Sequence, residues 1–353
     1  MLTLLSFGLS SLAAQSPSLV DARDTTVLTP AQNALVYELM QQLPDGGEAG
    51  LALIDGDQTT FYGVRHDSGQ LLTVNNADHH FGIGSVTKVF TATLLATLVQ
   101  EGAVALEDPV PAAYDFPFAD SITFTYRQLA THTSGLLRLP TNMLDALLHP
   151  EDPYSTYTPD KLETYLRDNL TVASGGSGGY SNLGFGLLGY TLGRHIDSVG
   201  YAAALHNRVL EPLGLRETHF GAASTTDLVP GLDTNGTAAT FWSFTEALGG
   251  AGAIVSTPRD MARFLRSQLD TKKEALALTR EEHVRTNERM SVGLGWQILQ
   301  MNGGNTVYWH NGAVGGYRSF VAIDVENARG IVLLTNVFLM DDAVDRTGFQ
   351  LLR

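Results

Sequence analysis

A serine and a lysine three positions apart, Ser85 and Lys88, stand at the start of an apolar stretch that predicts a helix over 86–100. At that spacing both side chains lie on one face of a helix, so the amine can reach the hydroxyl. The alternative is a serine cap followed by a solvated lysine, but this helix has no polar face and must be buried. Burial lowers the pKa of a lysine, and a neutral amine can take a serine proton. The pair predicts a nucleophile with its own base.

Tyr180 and Asn182 stand between a glycine-rich stretch, 174–179, and an apolar run, 183–196, that predicts another helix. A phenol beside a lysine can pass protons, and an amide can hold either a substrate carbonyl or the lysine itself. The alternative for so short a pattern is an ordinary helix cap.

The glycine-rich stretch also contains G-x-S-x-G centred on Ser177. A nucleophile elbow needs a strand directly before its serine, and none precedes Ser177, so we expect no chemistry there.

A third group, His310, Asn311, Gly312 and Ala313, leaves a predicted strand over 306–309 and approaches the next one. Glycines in such a connection let a ligand lie close to the main chain. A main-chain N–H on an edge strand can stabilise an oxyanion. The histidine itself is open to three interpretations: a base, a cation for an anionic substrate, or a neutral donor. A lone histidine is more often structural.

Three other patterns predict structure rather than chemistry. His79 and His80 are adjacent, point in different directions and have no third ligand at metal-site spacing, and the chain has no cysteine. His132 fits the C-terminus of a helix. The G-x-G-x-x-G over 184–189 lies inside the second apolar run with no strand before it, which favours close helix packing over a dinucleotide site. We therefore expect neither a metal nor a cofactor.

The elements that must position these residues follow a simple order, with strands near both ends of the chain and helices in the middle. Strands are predicted over 49–54, 59–64, 306–309, 317–324 and 330–335, and helices over 30–43, 86–100, 126–132, 159–169, 183–196, 201–210, 258–269 and 342–352. The fold class is therefore α+β: an antiparallel sheet from both chain ends, flanked by helices, with an inserted mostly helical lobe. The sheet lobe is expected at about 25–80 and 290–352, and the helical lobe at about 85–270.

The composition of the chain argues against two classes of binding partner. The chain has 353 residues, a net charge of −15 and no window rich in Lys or Arg, so nucleic acid and anionic membranes are poor partners. Residues 1–14 are typical of a signal peptide with a small-x-small cleavage site at Ser11–Ala13, although no basic residue precedes Arg23. We expect a periplasmic or secreted protein without a transmembrane span in the mature chain. The oligomeric state stays open.

Taken together, Ser85-x-x-Lys88, Tyr180-x-Asn182 and His310-Asn311-Gly312 resemble the motifs of the penicillin-recognising serine hydrolases. The nearest branches are class C β-lactamases, D-alanyl-D-alanine carboxypeptidases and family VIII esterases. The resemblance covers roughly residues 30–352 and includes, in family order, RQLATHTSGL, YSNLGFGLLGYTLG, VLEPLGLRETHF and GAGAIVSTPRDMARFL.

This resemblance implies a β-lactamase/transpeptidase-like fold and a mechanism. Ser85 would be acylated, Lys88 and Tyr180 would share the base and acid roles, and Asn182 would hold the substrate amide. The N–H groups of Ser85 and Ala313 would form the oxyanion hole. The implied reaction is hydrolysis of an amide, in a β-lactam or a D-alanyl peptide; a carboxylesterase and a penicillin-binding sensor without turnover are the alternatives.

One departure from the family pattern lies in the third motif. Class C β-lactamases usually carry Lys-Thr-Gly there, whereas this chain has His310-Asn311-Gly312, a variant found among D,D-peptidases and D-aminopeptidases. A histidine is only partly charged near neutral pH, so it anchors a carboxylate less firmly than a lysine. The acidic stretch Met340–Asp342 also has the wrong sign for a carboxylate. Both points argue against efficient β-lactam hydrolysis.

Overall fold

The secondary structure follows the predicted order, with additional short strands. The structure is a computed structural model that describes residues 27–144, 148–173, 179–221 and 227–353. The described α-helices are α1 (Pro30–Met40), α2 (Thr87–Gln100), α3 (Tyr126–Ala130), α4 (Pro159–Thr164), α5 (Asn182–Thr191), α6 (Tyr201–Leu205), α7 (Pro258–Leu269), α8 (Glu274–Arg280) and α9 (Ala343–Leu351). The described strands are β1 (Glu48–Asp55), β2 (Gln58–Asp67), β3 (Gln70–Thr73), β4 (Phe81–Gly82), β5 (His219–Phe220), β6 (Ile254–Ser256), β7 (Val284–Arg285), β8 (Met290–Val292), β9 (Gln297–Gln300), β10 (Thr306–Val314), β11 (Tyr317–Asp324) and β12 (Arg329–Thr335).

The main sheet joins the two ends of the chain. Its described strands lie in the order β3-β2-β1-β12-β11-β10-β9-β8-β7, and neighbouring strands pair antiparallel. The central contact pairs Ala49 of β1 with Thr335 of β12, and Asp55 with Arg329. The predicted α+β class, with an antiparallel sheet from both chain ends flanked by helices, is confirmed.

Both faces of the sheet are covered because side chains alternate along each strand. In β1, Ala49 and Leu51 belong to a core shared with α1 and α9, whereas Ala52 and Ile54 belong to the larger core that includes α2 and α7. A strand buried on both faces reads as a continuous apolar run, and LALI in β1 has that character. The larger core extends into the helical region between the two parts of the sheet.

Helix α2 is buried on every side, as its apolar composition predicts. It packs against α5, α6 and α8, and Phe90 stacks on Phe264 of α7 with 4.1 Å between ring centroids. Lys88 lies in its first turn and is fully buried. A lysine at such a position needs internal polar partners, which the next section describes.

A second, small sheet holds the turn that carries Ser85. Its three described strands, β4, β6 and β5, are only two or three residues long, and the sequence analysis did not predict them. Strand β4 leads into a short 3₁₀ turn, Gly84–Val86. Gly84 has φ +49°, and a Cβ there would lie 2.7 Å from the main chain of Ala313. A glycine is therefore required where this turn meets β10.

The prediction that the third motif follows the end of a strand is wrong. Strand β10 continues through His310 to Val314 and pairs with β11 from Val307 to Val314. Gly312 looks like a loop signal in the sequence, but its role is spatial: a Cβ there would lie 2.0 Å from the Ile83 carbonyl oxygen. The glycine lets two stretches of main chain approach each other inside a strand.

Across the described residues, we find no helix of sufficient length and apolar character to cross a lipid bilayer. The predicted signal peptide over 1–14 lies outside the described residues, as does Ser177.

Candidate active site

A cavity of about 430 Å³ opens where the Ser85 turn, the start of α5 and the end of β10 meet. It is lined by Ser85, Arg138, Tyr154, Tyr180, Asn182, Trp242, Phe244, Ala251, Gly252, Asn311, Gly312, Ala313, Arg318, Phe338 and Met340. Six residues that the sequence analysis selected are in this list, and Lys88 and His310 lie behind the wall. The three motifs, which are about a hundred positions apart in the chain, meet at one site.

The Lys88 amine has three oxygen partners. Its Nζ lies 3.0 Å from Ser85 Oγ, 2.9 Å from Asn182 Oδ1 and 2.7 Å from the main-chain oxygen of Ala251. The amide oxygen and the main-chain carbonyl can only accept hydrogen bonds, whereas a hydroxyl can also donate one. A neutral amine that gives its two hydrogens to Asn182 and Ala251 therefore points its lone pair at the Ser85 hydroxyl.

Electrostatics favour that neutral amine. Burial lowers the pKa of Lys88 well below its usual range, and the nearby positive charge of Arg138 lowers it further. No carboxylate among the described residues forms an ion pair with Lys88 that would raise the pKa again. A neutral lysine next to a serine hydroxyl is a base that can activate a nucleophile.

Tyr180 lies on the other side of the serine. Its hydroxyl is hydrogen-bonded to Ser85, and its ring centroid lies 4.7 Å from Lys88 Nζ. Burial raises the pKa of Tyr180, although the Ser85 hydrogen bond and the charge of Arg138 act in the opposite direction. The phenol therefore keeps its proton at neutral pH and is suited to donate it.

Asn182 is held on both sides of its amide. Its Oδ1 accepts from Lys88, and its Nδ2 donates to the Tyr154 hydroxyl at 3.0 Å. It is the first residue of α5, and the preceding Ser181 caps that helix by accepting from the Gly184 N–H at 2.9 Å. The amide is thus a fixed partner of the lysine, one of the two roles that its chemistry allows.

The main chain of β10 forms one edge of the site. Strand β9 pairs with β10 only over Thr306–Trp309, so the rest of β10 extends past the neighbouring strand towards the Ser85 turn. The Ser319 hydroxyl of β11 donates to the Ile83 carbonyl at 2.7 Å and ties the turn to the sheet. Asn311, Gly312 and Ala313 line the cavity along this edge.

His310 lies behind this edge and does not line the cavity. It is 2% exposed, and its Nδ1 lies 2.6 Å from the main-chain oxygen of Asn311. Burial, together with the charge of Lys88, lowers the pKa of His310 to about 3. The ring is therefore neutral near pH 7, so it contributes no positive charge to the site there.

Two arginines, Arg138 and Arg318, also line the cavity. Neither was identified from the sequence patterns. Arg318 lies in β11 and its Nη2 donates to Asp345 of α9 at 3.0 Å, while Asn311 donates to the same carboxylate oxygen. Arg138 is exposed, 5.3 Å above the ring of Tyr180, and forms no ion pair with a carboxylate of the described residues. Neither belongs to a motif, and the two lie 180 positions apart, so no pattern in the sequence links them.

His132 has the helix-terminal position that the sequence predicts, and it also supports the site. It follows α3 with φ +59°, and its N–H donates to the Leu129 carbonyl at 3.3 Å. Its Nδ1 accepts from the Ser181 N–H at 3.1 Å, and its ring lies 4.6 Å from that of Tyr180. Burial lowers its pKa well below the usual range. A neutral ring thus positions the Tyr180–Asn182 segment.

The remaining wall of the cavity is aromatic. Tyr154 stacks on Phe244 with 4.4 Å between ring centroids, and Trp242 and Phe338 extend the same surface. Met340 adds an exposed apolar side chain at the rim. The acidic Asp341 and Asp342 do not line the cavity; Asp342 pairs with Arg346 at 2.7 Å.

The Beta-lactamase family matches residues 36–352. The chain belongs to the Beta-lactamase family. It is a serine hydrolase of the β-lactamase and penicillin-binding-protein type, which agrees with the resemblance seen in the sequence.

Individual relatives are distant but cover most of the chain. The D-alanyl-D-alanine-carboxypeptidase/endopeptidase AmpH of Escherichia coli (strain K12) is 27% identical over 82% of this chain and 80% of its own length. Penicillin-binding protein 4 of Amycolatopsis lactamdurans is 28% identical over 82% of this chain and 80% of its own length.

Solved structures support the fold. The class C β-lactamase from Rhodobacter sphaeroides superposes with a TM-score of 0.76 at 21% identity and covers 92% of this chain and 98% of its own. The β-lactamase/D-alanine carboxypeptidase from Pseudomonas syringae gives a TM-score of 0.75 at 19% identity, covering 91% and 97%. The predicted β-lactamase/transpeptidase-like fold is confirmed.

Proposed function

We propose that this protein hydrolyses an amide bond adjacent to a carboxylate, in a D-alanyl peptide or a β-lactam, through an acyl-enzyme on Ser85. The observation that carries the proposal is the fully buried Lys88 amine 3.0 Å from Ser85 Oγ, with two carbonyl oxygens as its other partners. That arrangement orients a neutral base towards one hydroxyl, which serine chemistry requires.

In the first half-reaction, Lys88 takes the Ser85 proton as the serine oxygen bonds to the substrate carbonyl carbon. The carbonyl electron pair moves onto its oxygen, where the N–H groups of Ser85 and Ala313 stabilise the charge. When the intermediate collapses, the carbon–nitrogen bond breaks and the leaving nitrogen takes a proton from Tyr180. Tyr180 recovers a proton from the Lys88 ammonium.

In the second half-reaction, water replaces the leaving group and the same groups act in reverse. Lys88 and Tyr180 remove a proton from the attacking water, and the returning proton releases Ser85. Asn182 keeps its contacts with Lys88 throughout, which limits the rotation of the amine between the two steps. The fixed amide makes the site ready for both steps without rearrangement.

The substrate class follows from the charges of the wall. Arg138 and Arg318 face the cavity, and no aspartate or glutamate is among its lining residues. A guanidinium binds a carboxylate through two parallel hydrogen bonds, and Arg138 forms no competing ion pair with any residue that the structure describes. Substrate anchoring is thus assigned to these arginines and to Asn311, and neutral His310 shapes the β10 edge from behind.

A second candidate is a carboxylesterase for hydrophobic acyl groups. It is favoured by the aromatic wall of Tyr154, Trp242, Phe244 and Phe338, which offers apolar surface next to Ser85. An ester needs less acid catalysis than an amide because an alkoxide leaves more readily than an amide anion. The same serine and lysine serve both reactions, so substrate preference decides between them.

The cellular location is part of the proposal. We propose that residues 1–14 direct export and that the enzyme acts in the periplasm or outside the cell, where D-alanyl peptides of the wall are accessible. The support is the apolar, small-residue pattern of that segment. Fractionation of cells and N-terminal sequencing of the extracted protein test it, and an intact Met1 on cytosolic protein would refute it.

The experiment is a substrate panel with nitrocefin, a D-alanyl-D-alanine peptide and p-nitrophenyl esters, run on wild type, Ser85→Ala and Ser177→Ala. We expect Ser85→Ala to lose all turnover and Ser177→Ala to keep it. Release of D-alanine or hydrolysis of nitrocefin above ester turnover supports amide hydrolysis, and ester turnover alone supports the esterase. Activity that survives Ser85→Ala would refute both.

A further inference from the structure

A cluster of metal-ligating side chains lies on the small sheet, outside the cavity. A ring nitrogen of His80, a carboxylate oxygen of Glu217 and a ring nitrogen of His219 lie within 4.8 Å of one another. In the sequence, His80 has no third ligand at metal-site spacing. The other two donors lie 137 and 139 positions further along the chain, so the fold alone brings them together.

The topology of the small sheet explains this meeting. Val255 of the middle strand β6 pairs with Gly82 on one side and His219 on the other. His80 directly precedes β4, and Glu217 lies in the turn that leads into β5, so this pairing brings both residues close to His219. The pairing of β4 and β5 with β6 therefore brings the three donors together at one place.

His80 is the observation that points to a ligand. It is 4% exposed, and neither of its ring nitrogens has a hydrogen bond of normal geometry to a described residue. A buried polar group without a partner is costly, and native structures seldom leave one without a reason.

The donor spacing is close to what a tetrahedral ion needs. His80 Nε2 lies 3.6 Å from the Glu217 carboxylate, and the two histidine rings have centroids 5.7 Å apart. Zinc–nitrogen and zinc–oxygen bonds of about 2.0–2.2 Å place tetrahedral ligands about 3.4 Å from one another. Small rotations of the partly exposed Glu217 and His219 side chains would bring the donor atoms from their present separations to this distance.

The main chain at these residues is already fixed. The Asp260 carboxylate, buried in α7, accepts from the Glu217 N–H at 2.7 Å and from the Thr218 hydroxyl at 3.1 Å. The N–H of His80 donates to the Asp227 carbonyl at 3.1 Å. A site built on rigid main chain loses little entropy when an ion binds.

We propose that His80, Glu217 and His219 form a binding site for one Zn²⁺ ion, with two imidazoles and one carboxylate as protein ligands and the exposed Glu217 side open to solvent. The ion would join β4, which leads directly to the Ser85 turn, to β5 across β6. Its role at that place is to hold the small sheet that carries the nucleophile.

The test is a titration of metal-free protein with ZnCl₂, and with CoCl₂ for its visible absorption. We expect one ion per chain, the absorption bands of four- or five-coordinate Co²⁺, and a rise in melting temperature with Zn²⁺ because the ion binds only the folded state. Glu217→Gln and His219→Asn should each weaken binding at least about tenfold. Both side chains reach the surface, so both variants should fold.

His149→Gln is the matched control, because His149 and Glu151 form a surface pair 3.4 Å apart with no third donor among the residues that the structure describes. This variant and Ser85→Ala should bind the ion as wild type does. The proposal is overturned if wild type binds no ion at millimolar ZnCl₂. It is equally overturned if Glu217→Gln and His219→Asn bind as tightly as wild type.

Discussion

Asn182 Oδ1 lies 2.9 Å from Lys88 Nζ, and this contact fixes the direction in which the lysine lone pair points. The amide takes one amine hydrogen and the Ala251 carbonyl takes another, so the lone pair faces Ser85. Because the amide is neutral, it orients the amine without stabilising its charged form. A carboxylate at the same place would orient the amine equally well but would keep it protonated.

Replacing Asn182→Asp tests that relationship. A negative charge beside Lys88 favours the ammonium form and raises the pKa of the lysine. Since only the neutral amine can accept the Ser85 proton, the acid limb of kcat/KM should move to higher pH, and activity at neutral pH should fall by tenfold or more. A pH profile of ester hydrolysis measures this, and an unchanged or lower acid limb would refute the role of a neutral lysine.

His310 should have no part in that acid limb, because the pKa of its buried ring is about 3. A His310→Gln variant is therefore expected to keep the wild-type acid limb, even if its rate is lower. If the limb disappears in this variant, the titrating base is the histidine.

The lowered pKa of His310 also predicts that the free energy of unfolding depends on pH. The folded-state pKa of His310 is depressed from 6.5 to about 3, so its full contribution to stability exists above about pH 6.5 and is lost as pH falls towards 3. As pH falls from 7 to 5, His310 is protonated in the unfolded state but not in the folded state. This lowers the free energy of unfolding by on the order of 2 kcal/mol. Denaturant unfolding should show a smaller loss over that interval in His310→Gln than in wild type. Equal losses would mean that His310 is not buried as a neutral ring.

Arg318→Met and Arg138→Met test the anchoring of a carboxylate. Loss of a charge-assisted hydrogen-bond pair should raise KM for substrates with a carboxylate about tenfold to a hundredfold. Neutral p-nitrophenyl esters should be affected much less. Arg346→Met removes a similar charge from an exposed ion pair with Asp342 and serves as the control. Equal losses for charged and neutral substrates would contradict the anchoring role.

Gly312→Ala tests the close approach of β10 to the Ser85 turn. The added Cβ would lie 2.0 Å from the Ile83 carbonyl oxygen, so one of the two main chains must move. We expect a loss of about 1–3 kcal/mol in unfolding free energy and a large loss of kcat. Gly303→Ala is the control, since its added Cβ would meet no atom closer than 3.5 Å. Wild-type activity in Gly312→Ala would show that the approach is not needed.

Local patterns in the sequence predicted the fold class and most of the long elements. The apolar α2 and the runs in β1, β11 and β12 carry their periodicity over enough residues to be read directly. Strands β4, β5 and β6 are two or three residues long and have no such signal. Their pairing is decided by tertiary contacts, so the sheet that carries Ser85 could not be predicted.

The candidate site also contains some residues that the sequence predicts and others that it does not. Ser85 and Lys88 are three positions apart at the start of one helix, and Tyr180 and Asn182 stand at the start of another. Such short patterns can be read from the sequence, and these residues meet at one site. Arg138 and Arg318 come from separate elements, and the third motif was assigned to a loop because Gly312 resembles a turn signal. The surroundings of a glycine or an arginine depend on how distant segments pack. This packing cannot be predicted from a short stretch of sequence.

The central claim is that Ser85 is acylated with Lys88 as its base, and it is tested most directly by locating the acyl group. Wild type, Ser85→Ala and Lys88→Met are each incubated with a fluorescent penicillin, quenched in acid, digested and sequenced by mass spectrometry. We predict a single adduct on Ser85 in wild type, none in Ser85→Ala, and labelling slowed by at least about a hundredfold in Lys88→Met. An adduct on Ser177, or labelling of Ser85→Ala at the wild-type rate, would contradict the account.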